Sequence, residues 1–574
     1  MEWFGGSVAT TGAPAPRPLE TTWSLVLAKV ELWTAGTCSG RAVATAVAGP
    51  EWVAVFGTHG TDSESLETWL SVRGESDPPP WPGTYTVVVG NTRGISVFTD
   101  PAHALPIYYT EVDGALVWAS SSRALSGLTG LGPNLTWVSR LLANPPESPA
   151  VHDSGFQRVC TVPPGHCLEV TGDRPPRVRR WWSPPAGMPR MEASRQFRQA
   201  LDTAVALRLG REHHVSCDLS GGLDSTTLCL LAARQREAFQ ILTACTVHPE
   251  SRNRGGDLDY ARAAAKGREG VNHMLLPLSE QELPYSSLGC VPPTDEPAPT
   301  TITAARHRFA YERISAAGST VHMTGDGGDA LLMQSPDLAI RLALHGHPLR
   351  ALRDVHGWAK LDRTSPARLL SRVLRVRVDT PPHWLTPKAL GLASPRPGPR
   401  ALRYVGRDAE MVAIREIGRT AYADVQFASR FGVRLEAPFL DRAVVEAGLA
   451  FRLRDRGSPW SYKPQLTRTM TDVLPHTVLE RRTKGGTDAD HHLGLRIRLH
   501  EVSALLDGWL AGHGLIDPQA VRAELRAAES GKEYAWGALE PVIAAEVWSR
   551  TVTAYSPPQW LRPLQPGMEA EEPA

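Results

Sequence analysis

The sequence is poor in cysteine and carries almost no net charge. Its 574 residues include only 7 cysteines, and no two of them form a C-x-x-C pair, which argues against a structural zinc site or a disulfide framework and indicates a reducing compartment. The formal net charge of +1 gives no overall field that would attract nucleic acid or a membrane surface. The chain lacks an apolar run of membrane-spanning length, and residues 1–6 do not have the pattern of a signal peptide. We therefore expect a cytoplasmic protein that binds neither nucleic acid nor membranes.

The hydrophobic pattern divides the chain into two parts. Residues 1–185 contain short β-type runs bounded by glycine, proline or aspartate, whereas residues 186–574 begin with a helix-periodic stretch and then alternate strands with helices. The boundary lies in the proline-containing segment 181–187. Alternation of strands and helices predicts an α/β fold whose parallel sheet binds ligands at the carboxyl ends of its strands. We therefore predict two domains, 1–185 and 186–574.

A glycine-rich turn follows the first strand of the predicted parallel sheet. It stands before a helix predicted to begin near Thr226, and its residues are Leu219, Ser220, Gly221, Gly222, Leu223, Asp224 and Ser225. Adjacent glycines let the backbone approach phosphate oxygens, the serines supply hydroxyl donors, and a helix N-terminus attracts anions. No lysine follows the glycines, as a Walker-type loop requires, and Asp224 is placed to hold a magnesium ion instead. The pattern predicts a pyrophosphate-binding loop of an enzyme that cleaves ATP between its α- and β-phosphates and forms an adenylate.

A second acidic, glycine-rich turn runs from Thr324 to Asp329 and follows a later strand of the same sheet. ATP held at the first loop needs magnesium between its phosphates, and one carboxylate from each loop can hold that ion. We assign this role to Asp224 and Asp329. Asp326 is predicted to face the reacting centre, where it orients or deprotonates a nucleophile. Thr324 and Gly325 are predicted to line the nucleotide site.

Two lysines near the C-terminal end are candidates for contact with the phosphates. Lys484 stands directly ahead of two glycines, so its side chain has an unobstructed path to a buried anion. There it would balance the charge that develops on the α-phosphate and the acyl oxygen. Lys463 is predicted to bind pyrophosphate. A lone lysine is usually a solvated surface group, so both assignments depend on a family resemblance.

The order of these motifs resembles that of the asparagine synthetase family over nearly the whole chain. The shared motifs are Ser220–Ser225, Thr324–Asp329, Glu436–Asp441, Lys463, Leu474-Pro475, Arg482 and Lys484, with Asp100–Tyr109, Trp118–Leu125 and Val162–His166 in the first part. The resemblance implies an N-terminal glutaminase-type (Ntn) αββα domain and a C-terminal ATP-pyrophosphatase synthetase domain of the adenine nucleotide alpha hydrolase-like fold. It also implies that ATP and Mg²⁺ are used, and that Lys463, Asp326 and Lys484 act in catalysis.

Position 2 departs from the family pattern. A working glutaminase of the family uses a cysteine there as an N-terminal nucleophile, with the chain's own amine as base, and this sequence has Glu2. The nearest cysteine, Cys38, is internal. We therefore expect an N-terminal domain that is catalytically inactive and retained as a scaffold. The amine would then come from a source other than glutamine.

Two branches of the family use an amine that the substrate already carries: the β-lactam synthetases and the lasso peptide macrolactam synthetases, or lasso cyclases. The β-lactam branch has tyrosine where this sequence has Asp326, and the chain is long for an enzyme that closes small molecules. The segment 334–430 offers extra helical surface, which suits a peptide, and carries Arg341, Arg350, Arg353, Arg363, Arg368, Arg372, Arg375 and Arg377.

The resemblance therefore favours a macrolactam-forming enzyme. It would adenylate an Asp or Glu side chain of a precursor peptide, and the N-terminal amine of the core peptide would then attack the activated acyl group. Such enzymes act with a leader-peptide recognition protein and a leader peptidase. The basic stretch 341–377 is one candidate docking or substrate surface.

Two other functions stay open on sequence grounds. One is an asparagine synthetase or a β-lactam synthetase-like ligase that joins small molecules. The other is a binding protein on an inactive scaffold, which the presence of both predicted magnesium carboxylates disfavours. The family's Glu-x-Arg ahead of Pro-Phe-Leu-Asp is reversed here to Arg434-Leu435-Glu436, which weakens the transfer of individual residue roles.

Overall fold

The computed structural model describes residues 2–9, 15–27, 29–36, 43–74, 79–143, 153–171, 174–210, 212–250, 255–374, 381–393, 408–481, 488–529 and 536–561. The strands of the first part are β1 (Trp3–Ala9), β2 (Arg17–Pro18), β3 (Thr21–Leu27), β4 (Val30–Ala35), β5 (Val43–Ala48), β6 (Glu51–His59), β7 (Gly83–Asn91), β8 (Gly94–Phe98), β9 (Ile107–Val112), β10 (Ala115–Ala119), β11 (Cys160–Val162), β12 (His166–Thr171) and β13 (Arg174–Arg180). The helices among them are α1 (Ser63–Val72), α2 (Ser122–Thr129) and α3 (Leu135–Ala143).

Most of these strands form two antiparallel sheets that pack face to face. The first has the order β11-β9-β10-β1-β4-β3, and the second has the order β13-β12-β8-β7-β6-β5. Their facing sides share an apolar cluster that includes Phe4, Phe56 and Trp118, and the rings of Phe4 and Phe56 stack with centroids 4.7 Å apart. Helix α1 packs on the outer side of the second sheet, and α2 and α3 pack on the outer side of the first. The resulting order of layers is helix, sheet, sheet, helix.

The second part contains the parallel sheet that the alternating pattern predicted, so the α/β fold is confirmed. Its strands are β14 (His214–Asp218), β15 (Ile241–Pro249), β16 (Val271–Leu278), β17 (Val321–Met323) and β18 (Arg434–Glu436), in the order β16-β15-β14-β17-β18. The first four follow sequence runs that predicted strands, whereas β18 was not predicted. Strands β14 and β17 are neighbours in the middle of the sheet, so the loops after them lie side by side. The predicted boundary at 185 falls between β13 and the next helix, and the division into domains stays a prediction.

Helices surround this sheet and fill the rest of the described chain. They are α4 (Arg190–Leu209), α5 (Leu223–Gln235), α6 (Asp257–Ala265), α7 (Ala304–Ala316), α8 (Gly328–Leu332), α9 (Leu338–Leu344), α10 (Pro348–Leu361), α11 (Pro366–Leu374), α12 (Pro387–Ala393), α13 (Asp408–Ala428), α14 (Arg442–Leu449), α15 (Pro464–Thr469), α16 (His476–Leu479), α17 (Asp488–Leu505), α18 (Trp509–Gly512), α19 (Pro518–Glu529) and α20 (Trp536–Ala554). None of the described helices has both the length and the apolar character needed to cross a membrane.

A buried ion-pair network joins the two parts of the chain. Arg208, near the end of α4, donates to both carboxylate oxygens of Asp441 over 2.5 Å, and its Nε donates to Glu436 over 3.1 Å. From the second antiparallel sheet, the hydroxyl of Thr58 donates to Glu436 and that of Thr84 donates to Asp441. The side chains of Arg208 and Asp441 are 1% and 0% exposed. Glu436, which stands where the family pattern has arginine, therefore has a guanidinium partner, Arg208, from another element.

The end of the described chain returns to its beginning. A short strand, β19 (Trp560–Leu561), pairs with β2. The ring of Trp560 contacts those of Trp3 and Trp33, with centroids 5.4 and 5.9 Å apart, and its indole N–H donates to the carbonyl of Ala124 over 2.8 Å. Trp3 and Trp33 are buried as a result. The segment after α20 thus completes the outer side of the first sheet.

We expect Arg208→Met to lower the free energy of unfolding by about 3–5 kcal/mol, because it leaves the fully buried Asp441 carboxylate without its counter-charge, whereas Glu436 keeps its ion pair with Arg434. Arg198→Met is the matched control, since Arg198 makes part-exposed ion pairs with Asp202 and Asp472, and it should cost at most about 1 kcal/mol. Urea unfolding followed by tryptophan fluorescence measures both losses. Equal losses in the two variants would show that the buried network does not stabilise the fold.

Candidate active site

The first glycine-rich loop lies at the carboxyl edge of the parallel sheet, as predicted. Strand β14 ends at Asp218, and α5 begins at Leu223, earlier than the predicted Thr226, because Gly222 takes the N-cap position. Gly221 has φ +74°, and a Cβ there would come within 2.5 Å of the carbonyl oxygen of Asp257. Only glycine can therefore make this turn without strain.

The serines of this loop hold its shape. The hydroxyls of Ser220 and Ser225 are 2.9 Å apart, and the backbone N–H of Ser220 donates to Ser225 Oγ over 3.2 Å. No side chain caps the N-terminus of α5. The N–H groups of its first turn therefore point, with the positive end of the helix dipole, into the turn where an anion would bind. This arrangement suits a phosphate group.

The second loop lies directly against the first. Thr324 follows β17, and its hydroxyl donates to Asp326 Oδ2 over 2.8 Å. A Cβ on Gly328 would lie 2.5 Å from the carboxyl carbon of Asp224, and a Cβ on Gly325 would lie 3.1 Å from the backbone nitrogen of Ser225. The glycines of the second loop are therefore the reason that the Asp224 carboxylate can approach it so closely.

Lys463 brings the two predicted magnesium carboxylates together. Its ammonium forms ion pairs with Asp224 and with Asp329, the latter at 2.5 Å, although its side chain is only 1% exposed. Burial alone would lower the pKa of Lys463, but the two carboxylates outweigh it and raise the pKa above the usual lysine value. The lysine is therefore fully charged at neutral pH. Its predicted contact with pyrophosphate stays a prediction.

The two carboxylates fit the magnesium ion that the family resemblance implies. Both are hard oxygen donors, which Mg²⁺ prefers, one comes from each loop, and the missing side chain of Gly328 leaves room beside Asp224. A cation already lies between Asp224 and Asp329 in the form of the Lys463 ammonium. The position is thus one where positive charge is stable. Among the described residues, no three His, Cys, Asp or Glu side chains group as a metal cluster.

Several residues named from the sequence lie outside the described chain. Lys484 and Arg482 belong to the segment 482–487, and Cys38 belongs to 37–42. The roles of Lys484 in balancing charge at the α-phosphate and the acyl oxygen therefore stay predictions.

One acidic group that the sequence analysis missed, Asp424 of α13, lies near the second loop. Its carboxyl group accepts a hydrogen bond from the hydroxyl of Thr300. Burial and, to a smaller extent, the nearby charge of Asp326 raise the pKa of Asp424 to about 8, although the Thr300 hydrogen bond lowers it. The raised pKa favours the protonated form of Asp424 at neutral pH, and the side chain of Asp326 is exposed. A protonated carboxyl group beside another acidic side chain is a common arrangement for acid–base work.

Asp218, at the end of β14, forms a further polar contact beneath the loops. Burial favours a higher pKa for its carboxyl group, but a 3.2 Å contact with His322 Nε2 and the nearby side chains of His322, His307 and Arg306 outweigh it, so the pKa is lowered. Burial lowers the pKa of Arg306. Neither Asp218 nor Asp424 belongs to a local sequence motif.

The comparisons with known proteins agree with this geometry in one respect. Residues 196–550 match the family described as Asparagine synthase. No curated protein matches the chain.

Two solved structures are similar over part of the chain. One is the allosteric regulatory enzyme of purine biosynthesis, with 12% identity, a TM-score of 0.20, and coverage of 48% of this chain and 74% of that chain. The other is the glutamine phosphoribosylpyrophosphate amidotransferase from B. subtilis complexed with ADP and GMP, with 12% identity, a TM-score of 0.19, and coverage of 52% and 68%. TM-scores this low say nothing of what this chain does.

We expect Asp424→Asn to stabilise the protein relative to the parent by an amount that grows between about pH 5 and pH 8. The pKa of Asp424 is raised in the folded state, so the carboxyl group loses its proton at a lower pH in the unfolded chain than in the folded chain. The parent protein therefore loses stability as the pH rises through this range. The amide does not titrate and escapes that loss. Urea unfolding at several pH values measures the difference.

The control for this series is Asp337→Asn, since Asp337 is exposed. Its stability difference from the parent should stay constant over the same pH range. A constant difference for Asp424→Asn as well would show that Asp424 is ionised in the folded protein.

Proposed function

The chain belongs to the asparagine synthase family, whose members are ATP-dependent ligases, and we propose that it closes a macrolactam in a ribosomal lasso peptide. In this proposal an Asp or Glu side chain of the peptide is activated as an acyl-adenylate, and the N-terminal amine of the same peptide captures it. The observation that carries the proposal is the contact between two glycine-rich acidic loops, with Asp224 and Asp329 on either side of the Lys463 ammonium.

The first half-reaction forms the adenylate. The triphosphate of ATP lies along Ser220–Ser225 and the N-terminus of α5, where backbone N–H groups and serine hydroxyls bind the phosphate oxygens. A carboxylate oxygen of the peptide attacks the α-phosphorus, the bond to the β-phosphate bridging oxygen breaks, and pyrophosphate leaves. Asp224 and Asp329 would hold Mg²⁺, which neutralises charge on the phosphates when bound. The Lys463 ammonium would then either leave its position between the two carboxylates or lie beside the ion. In both cases it would bind the departing pyrophosphate.

The second half-reaction forms the amide. The peptide's amine attacks the acyl carbon, AMP leaves with the bonding electrons of the acyl–oxygen bond, and the amine loses one proton. Asp326 is the base that accepts this proton, and the protonated Asp424 behind it keeps a second negative charge from building up. Amine and activated acyl group belong to one molecule, so holding them together supplies an effective concentration of about 10⁵ M or more.

The proposed source of the amine is the substrate, not glutamine. Within the described part of the N-terminal sheets, burial raises the pKa of the Cys167 thiol to about 12 and also raises that of Cys160. Both are thiols at neutral pH and poor nucleophiles. Position 2 carries Glu2, and Trp3 beside it is covered by Trp560. These observations support an N-terminal part that serves as a scaffold.

The proposed substrate is a peptide because of the helical insertion between β17 and β18. Helices α9 to α12 add a surface that is basic and partly apolar, with Leu349 and Leu352 84% and 69% exposed. A small acid needs no such surface. We propose that the enzyme takes a precursor peptide whose leader is first bound by a recognition protein and removed by a peptidase.

We expect release of AMP and pyrophosphate in the presence of a precursor peptide that has an acidic residue near the start of its core. A coupled pyrophosphate assay measures it, with mass spectrometry to detect the loss of one water from the peptide. Turnover with aspartate and ammonia would instead establish a small-molecule ligase. Glutamate release from glutamine, with its nitrogen in the product, would contradict the proposed amine source, and no turnover with any substrate would indicate a binding protein.

We expect Asp329→Asn to reduce adenylate formation by on the order of 100-fold or more, because it removes one of the two charges that hold the metal against the phosphates. Peptide-dependent exchange of labelled pyrophosphate into ATP isolates this half-reaction. Asp337→Asn, a neighbouring exposed carboxylate, is the matched control and should retain full exchange. Full exchange in Asp329→Asn would remove this residue from the proposed metal site.

A further inference from the structure

A cavity of about 500 Å³ has a lining that is separate from the two loops. It forms where four segments meet: the connection between β13 and α4, the second half of α9 with the residues after it, the start of α13, and the end of α14 with the loop that follows it. Pro185 and Gly187 line it from the connection, and Arg452, Arg454 and Arg456 line it from the loop.

The lining carries an excess of positive charge. Arg341 and Arg456 both pair with Glu410, the latter at 2.8 Å, so one carboxylate serves two guanidinium groups. Arg452 and Arg454 are exposed, and no acidic side chain of the described chain pairs with them. Exposed guanidinium groups that line an open cavity and have no acidic partner indicate an anionic ligand.

The loop that presents these arginines is held in place from several sides. Arg350 of α10 donates to the carbonyl oxygens of Arg454 and Arg456. The guanidinium of Arg456 donates in turn to the carbonyl oxygens of Phe451 over 2.9 Å and Leu449 over 2.7 Å. These bonds fix the backbone before any ligand arrives, so little conformational entropy is lost on binding.

The same loop leads directly to the active site. From Arg456 the chain runs through Pro459 and Trp460, which pack against Gly357 of α10, to Lys463 between the two catalytic loops. A ligand held in the cavity is therefore anchored to the segment that carries the active-site lysine. The walls also include the apolar side chains of Leu449 and Phe451, which a free inorganic anion would not use.

We propose that this cavity binds an acidic segment of the peptide substrate, away from the carboxylate that is activated. That the ligand is the peptide substrate rests on the proposed function. That the ligand is acidic and partly apolar is inferred from the cavity alone. The carboxylates of the segment pair with Arg452 and Arg454, while neighbouring apolar side chains lie against the cavity wall. The site thus selects peptides by charge at a distance from the reacting centre.

The test uses the full-length protein without ATP, so that its result does not depend on catalysis. A fluorescein-labelled peptide of alternating glutamate and leucine is titrated with protein, and fluorescence anisotropy measures its dissociation constant. Arg452→Gln/Arg454→Gln should weaken binding on the order of tenfold, since it removes charge-assisted hydrogen bonds. The control, Arg174→Gln/Arg177→Gln, removes two exposed arginines of β13 and should leave the constant within about twofold.

Four results would overturn the inference. They are equal binding by the two double variants, equal binding of a peptide of alternating lysine and leucine, displacement of the labelled peptide by inorganic phosphate as effective as that by unlabelled peptide, and absence of any binding to the parent protein. Peptide-dependent release of AMP with unchanged KM in Arg452→Gln/Arg454→Gln would leave the proposed function standing and remove the cavity from it. Binding of the labelled peptide without peptide-dependent release of AMP would support the cavity as a peptide site and contradict the proposed function.

Discussion

The approach of the Asp224 carboxylate to the second loop is the contact on which the site depends. It is possible only because residue 328 has no side chain, and it places Asp224 within reach of the same cation as Asp329. Two carboxylates this close repel each other unless a positive charge lies between them. The buried ammonium of Lys463 supplies that charge, so the loops have a stable arrangement before nucleotide binds.

The N-terminal sheets contribute hydrogen bonds to this arrangement. Thr58 and Thr84 donate to Glu436 and Asp441, and the carbonyl of Glu436 accepts the backbone N–H of Thr324 over 2.9 Å. A continuous set of hydrogen bonds therefore runs from the antiparallel sheets to the second loop. This gives a physical reason for the chain to keep these layers even where they hydrolyse nothing.

The sequence predicted the parts of the site that rest on local backbone rules. Gly221 is required by close backbone approach and Gly328 by the approach of the Asp224 side chain, and the alternation of strands and helices placed both loops at one edge of the sheet. The pairing of Lys463 with both aspartates was not predicted, because the residues are distant in sequence and only the tertiary fold brings them together.

Asp424 and Arg208 were missed for the same kind of reason. Each is a charged residue within a helix, and its hydrogen-bond partner lies on another element that is distant in sequence. Strand β18 was missed because it has only three residues, too few to show alternation. Sequence patterning thus found the loops and the sheet, whereas burial and ion pairing decided which charged residues matter.

The contact between Trp560 and the first sheet has a consequence for synthesis of the chain. During translation Trp3 and Trp33 leave the ribosome well before Trp560, and β2 gains its β19 partner only after Trp560 has been added. This part of the outer face of the first sheet therefore lacks its tryptophan cover while the helices around the parallel sheet are being made.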